Sequence, residues 1–154
     1  MDWYSSCGKY HTQTFAHESR LSSLPDDWRR ELAALWRLEA DINNGAYLQF
    51  LVNWGRDTYE YAIQGLKKIG ASRMAEIIDI CQLLVDEHID VTKFVADHEA
   101  ISAGKAFDDL QKGLPQEIVA RIYELSYEFM GYPDDVASLG MRHYGSLIQG
   151  DSQG

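Results

Sequence analysis

With only two cysteines in 154 residues, Cys7 and Cys81, the chain has no disulfide framework to staple it. One cysteine stands near the start and the other on an apolar helical stripe, so both are expected as reduced thiols. Only three prolines occur. No stretch approaches the run of about eighteen uncharged apolar residues that a membrane span needs, and Met1 to His17 lacks the apolar centre of a signal peptide, so a cytoplasmic, membrane-free protein is expected. Also missing are a phosphate-cradling glycine loop, a nucleophile elbow and a pair of histidines four apart on a helix. His11, His17, His88, His98 and His143 are off ligand spacing. Cys7, His11 and His17 are irregularly placed and lack a fourth partner. The chain is therefore expected to be no enzyme and to hold no metal and no cofactor, and His88, on an apolar stripe, reads as a core residue.

Basic residues are the scarcest charged class: 14 against 24 acids, a net charge of −10. The imbalance is local. Met1 to Gly45 carries 5 bases and 7 acids, Ala46 to Ile80 carries 4 and 4, and Cys81 to Gly154 carries 5 and 13. Phosphate binding needs clustered Lys and Arg, so nucleic acid is excluded as a direct partner. A basic protein surface fits the charge, although solubility alone also accounts for such an excess.

What is present is helical periodicity. The length suits one domain. Residues 1–24 read as a polar lead-in, extended or folded loosely over the rest, 25–148 as the helical domain and 149–154 as a polar tail that frays. Leu24-Pro25-Asp26-Asp27 opens a helix whose Trp28, Leu32, Leu35, Trp36, Glu39 and Ile42 recur at spacings of three and four. Asn43-Asn44-Gly45 stops it, with Gly45 expected in the left-handed conformation. Tyr47, Phe50, Leu51 and Trp54 build a short central helix that ends at Gly55. Tyr59, Ala62, Ile63, Leu66 and Ile69 make the next stripe, and Ser72 is placed to cap the helix that follows. Past Ile89 the stripe drifts through Phe94, Val95, His98 and Ile101, which predicts a bend or break near Asp86 to Val91. Ser102 to Lys105 reads as a loop, Pro115 opens a helix from Gln116 to Met130, and Asp134 or Asp135 caps the last one. The fold class is all-α, a compact single-domain bundle of six to eight helices joined by short loops.

The run Trp36, Leu38, Asp41, Ile42, Asn43, Asn44, Gly45, Tyr47, Gln49, Phe50 and Asn53 resembles the signature of the bacterial nineteen-kilodalton DNA-mimic protein family, long filed as a domain of unknown function. The resemblance continues through Ala62, Leu66, Ile69, Gly70 and Ala71 and extends over Ser22 to Tyr144. Ala46 departs from it, standing where the family usually has a second glycine. The resemblance implies an all-helical fold and, by the name-giving member, an acidic decoy that occupies the DNA-binding surface of a transcription repressor.

Two kinds of site follow. On a helical wheel Glu76, Asp79, Asp86, Glu87 and Asp90 fall within an arc of about 100 degrees opposite the apolar stripe. They form one acid per 4 to 5 Å or so, against about one charge per 1.7 Å in duplex DNA, so mimicry needs a second ridge alongside. Glu117, Glu124 and Glu128 are the candidate second ridge, diluted by Arg121. The expected partner is a basic protein, either a DNA-binding regulator or a nuclease toxin blocked as by an immunity protein, with the chain a monomer or homodimer. The alternative is a small-molecule or peptide pocket at the turn, read by Glu39, Asn43, Asn44, Gln49 and Asn53, whose amides serve equally well to fix the turn itself.

Overall fold

The longest helix starts where Asp26 turns its carboxylate back onto the chain, accepting from the Arg29 amide. A computed structural model describes residues 2–90 and 103–153. Six α-helices lie in them: α1 (Trp3–Gln13), α2 (Asp27–Ile69), α3 (Ser72–Asp86), α4 (Ala103–Gly113), α5 (Gln116–Met130) and α6 (Val136–Gln153). Two single 3₁₀ turns, Thr14–His17 and Leu21–Ser23, carry the chain from α1 to α2. No strand occurs among the described residues. The stripe expected at Phe94, Val95, His98 and Ile101 lies outside them.

Helix α2 is the spine, and its 43 residues are bent at two places where the backbone leaves helical geometry. At the first, Gly45 has φ −162° and ψ 20° and Ala46 has φ 69° and ψ −178°; at the second, Gly55 has φ 78° and ψ −170°. The stop expected at the Asn-Asn-Gly turn is there, but the positive φ falls on Ala46, and Gly45 is extended. Gly45 is needed for a different reason: a Cβ there would lie 1.8 Å from Oε1 of Gln49, whose side chain folds back over it. Segments 27–44, 47–54 and 56–69 result, each turning its apolar stripe inward. Leu32, Leu35, Leu38, Ile42, Tyr47, Phe50, Leu51, Ala62 and Leu66 are buried together. Each of the Leu, Ile and Phe side chains contributes about 1.5–3 kcal/mol by leaving water.

The lead-in is not loose. Asp2 accepts from the Ser5 amide and starts α1, whose Trp3, Cys7 and Tyr10 are buried against α2 and α6. Gly140 of α6 makes room for Trp3, since a Cβ there would sit 2.4 Å from the indole. Trp3, Cys7 and Tyr10 recur at spacings of four and three, an amphipathic stripe present beneath the polar composition. The C-terminal end is fixed too, where a fraying tail was expected from Gln149. Helix α6 runs to Gln153, and Asp151 accepts from Lys9 Nζ (3.1 Å), Tyr10 hydroxyl (2.6 Å) and Arg29 Nη2 (2.5 Å). Helix α4 begins at Ala103, inside the expected loop of 102–105, because Ala106, Leu110 and Leu114 at a spacing of four give it a buried stripe. The cap expected from Ser72 comes instead from the turn before α6, where Asp134 Oδ2 accepts the Met74 amide at 2.8 Å.

Candidate functional site

Helices α3 and α5 pack side by side and run in opposite directions. Arg73 at the start of α3 grips Glu128 near the end of α5 through Nε and Nη2. At the other end a Cβ on Gly113 would come 3.1 Å from Ile89 Cδ1, so the chain leaving α3 adjoins the entry to α5. The two expected acidic ridges are thus neighbours on one surface.

Their charges are not equivalent. Glu76 is exposed and pairs with Arg73 at 3.2 Å, and Glu124 pairs with Arg121 at 3.2 Å. Asp79 and Asp86, expected as exposed acids, are half-buried. Asp79 accepts from the Tyr59 hydroxyl at 3.0 Å, and Asp86 accepts from Arg56 Nη1 and Gln82 Nε2, each at 2.9 Å. The last segment of α2 packs on α3 and lays Tyr59 and Arg56 along that side of the wheel, which the wheel alone could not show. Helix α3 ends at Asp86; Glu87 follows in helical geometry with its amide bonded to the Leu83 carbonyl at 3.0 Å, and the exposed Asp90 lies past the helix end. Glu87 and Glu117 are exposed and have no ion-pair or hydrogen-bond partner among the described residues. His88 is exposed rather than core, its Nδ1 2.9 Å from the Leu84 carbonyl.

The five turn residues do not converge on one pocket. Glu39 is 6% exposed, Oε1 has no hydrogen-bond partner, and burial pushes its pKa up to about 7 while the Tyr132 hydroxyl pulls the other way. Asn43, on the same side, is exposed and donates to Tyr132 Oη at 3.2 Å. Asn44 is exposed. Gln49 and Asn53 face the other way, where Asn53 Nδ2 donates to Asp41 Oδ2 at 3.4 Å and burial raises the Asp41 pKa. Asn43 and Asn53 thus bond neighbours on either side of the turn.

A feature the sequence hid lies beside the second bend. Arg37 is 1% exposed and, among the described residues, has no carboxylate on its guanidinium. Nε donates to His11 Nδ1 (3.0 Å), Nη1 to Thr58 Oγ1 (3.3 Å), and Nη2 to Thr14 Oγ1 (3.0 Å) and the Ser19 carbonyl (2.7 Å), with the guanidinium 3.9 Å over Trp54. Burial lowers its pKa to about 10, and burial next to this cation lowers that of His11 to about 4. His11 also stacks on Trp36 at 4.2 Å, so it is a structural partner, not the metal ligand considered with Cys7 and His17. Arg37 forms part of the wall of an open groove of about 910 Å³ between residues 18–22 and the last segment of α2. Its partners lie 18 to 26 positions away in the chain, and no local pattern announces them. Glu31 is equally hidden: fully buried, it accepts from Lys68 Nζ (2.5 Å) and the Tyr144 hydroxyl (2.9 Å). Among the described residues no group of His, Cys, Asp and Glu is arranged to hold a metal ion, and no helix is long and apolar enough to cross a membrane.

The family described as DMP19-like protein matches residues 22–148, most of the chain and the whole span over which the resemblance extends. No curated protein and no solved structure matches the chain.

Proposed function

The chain belongs to the DMP19-like protein family, and we propose on that premise that it is a non-catalytic, acidic interaction module that covers a basic surface of a partner protein. The partner's class is that of a DNA-binding regulator, engaged by DNA mimicry, or a nuclease toxin inhibited in the manner of an immunity protein. The observation that supports this reading is the antiparallel pairing of α3 and α5, which brings Glu76 of one helix and Glu128 of the other onto a shared Arg73. Across that face Glu76, Glu124 and Glu128 are matched by Arg73 and Arg121, and Glu87 and Glu117 are left to attract a cation. Attraction of this kind steers association and is screened as the Debye length falls from about 10 Å at 0.1 M salt to about 3 Å at 1 M.

The test is capture of basic proteins from cell lysate by the parent chain and by a Glu87→Lys, Glu117→Lys double variant at low salt. The parent retains a partner that 1 M salt or competing duplex DNA releases, and the double variant retains it at least about tenfold less, about 1.4 kcal/mol. A partner held equally by both, and indifferent to duplex, removes the reading.

A further inference from the structure

The groove beside Arg37 is held open at an energetic cost. Its outer wall is the strap of residues 18–22, in which Glu18 and Ser19 are consecutive non-glycine residues at φ 58° and 59°. Such residues persist only where the surroundings over-determine them. Two arginines do so here. Arg37 takes the Ser19 carbonyl from beneath, and Arg30 takes the Ser22 and Leu24 carbonyls, at 3.5 and 2.8 Å. Burying Arg37 without a carboxylate is a second cost borne by the same wall. The opposite wall is α2 on either side of its second bend, which offers the half-buried rings of Trp54 before it and Tyr61 after it, with Asp57 and Glu60 beside them.

Four exposed carboxylates line this space, Glu18, Asp27, Asp57 and Glu60, of which Asp27 pairs with Arg30 at 3.5 Å and Glu60 with Arg56 at 3.4 Å. Of the two lining bases, Arg37 is enclosed and already donates four hydrogen bonds, and Arg20 reaches Glu18 at 3.9 Å. Asp57 has no partner among the described residues. A trough with aromatic sides and the unpaired carboxylate of Asp57 at its rim matches a chain that brings positive charge on an apolar stem, which is the chemistry of lysine and arginine side chains. We propose that this groove binds an extended basic peptide segment of a partner, with a Lys or Arg side chain against Asp57 and its stem along Trp54. From Asp57 to Gln64 the helix rises about 10 Å, the length of about three extended residues, so the fitting segment is short. None of these residues belongs to the α3–α5 face, and the two readings stand or fall apart.

The experiment is a titration of the ¹⁵N-labelled chain with acetylated tetralysine amide at low salt, followed by amide and tryptophan indole resonances. The expected result is saturable shifts at Trp54, Asp57 and Tyr61, weakened about tenfold by Asp57→Asn with Glu60→Gln and less than about twofold by Glu117→Gln. Asp57→Asn alone serves if the double variant melts early, and is expected to weaken binding about threefold or more. Shifts spread over all acidic surfaces, equal weakening by Glu117→Gln, tighter binding of acetylated tetraglutamate amide, or no binding each overturn the proposal.

Discussion

Replacing Ala46 by glycine isolates the strain that the first bend of α2 stores. At φ 69° and ψ −178°, Ala46 occupies a region that is essentially confined to glycine, at a cost of about 1–3 kcal/mol. Glycine removes that strain but loses two other things. The added backbone freedom of the unfolded chain costs about 0.5–1 kcal/mol, and the methyl, on a residue only 2% exposed, takes with it about 0.8 kcal/mol of burial. These losses cancel in a comparison with Ala34→Gly, made in regular helix at a residue that is 0% exposed. Ala34→Gly is expected to lose about 1.3–1.8 kcal/mol, while Ala46→Gly ranges from a loss of about 1 kcal/mol to a gain of about 2 kcal/mol, and the difference of about 1–3 kcal/mol is the strain itself. Urea denaturation measures both, and with about 2–4 °C per kcal/mol at this size the two variants should also separate in thermal melts. Equal destabilisation by both substitutions refutes the argument. The resemblance noted from sequence points the same way, since the family usually has a second glycine at this position.

Other outcomes follow from particular contacts. Gly45→Ala, at an extended φ, is expected to cost about 1 kcal/mol through the clash with Gln49, and Gln49→Ala in the same background to recover most of it; a double-mutant cycle without coupling denies that packing. Asp86→Lys, which breaks the contacts to Arg56 and Gln82, is expected to destabilise by about 1–2 kcal/mol, and an unchanged urea midpoint shows those bonds to be idle. Glu39, with its pKa raised from 4.5 to about 7, binds its proton more tightly when folded, so its contribution to stability is present below about pH 4.5 and is lost as pH rises through 7. His11, depressed to about 4, acts in the opposite sense between pH 4 and 6.5, so the effect is read as parent minus Glu39→Gln; the variant gains up to about 3 kcal/mol at pH 8, and parallel pH profiles exclude the shift.

Helix boundaries set by local chemistry were legible. Asp26 and Asp135 accept the amides that a first turn leaves free, and Pro115 opens α5 at Gln116 as its ring geometry favours. Boundaries set by other elements were not. Ser72 has the right side chain for a cap, yet the Met74 amide is taken by Asp134 from 60 residues away. The lead-in and the tail looked polar because Lys9, Tyr10, Arg29 and Asp151 are polar, but they are polar toward one another, which turns two expected loose ends into one latch.

The same distinction governs the site. A helical wheel lists acids by the side on which they stand and is silent about what stands opposite, so Asp79 and Asp86 counted as free charges while the fold spends them on Tyr59 and Arg56. Glu128 counted as part of a ridge and is half of the contact that aligns the two ridges. An acid already neutralised by an arginine contributes little field beyond the pair, and a partner that displaces the arginine must repay the lost bond. The attraction available to a basic partner is therefore set by the acids that folding leaves over, and among the described residues of α3, its C-cap and α5, Glu87 and Glu117 are such acids. Glu87 follows the end of α3 and Glu117 opens the antiparallel α5, so a docking protein should be drawn to that end of the face first, and charge reversals there should slow association more than reversals at Glu76 or Glu128.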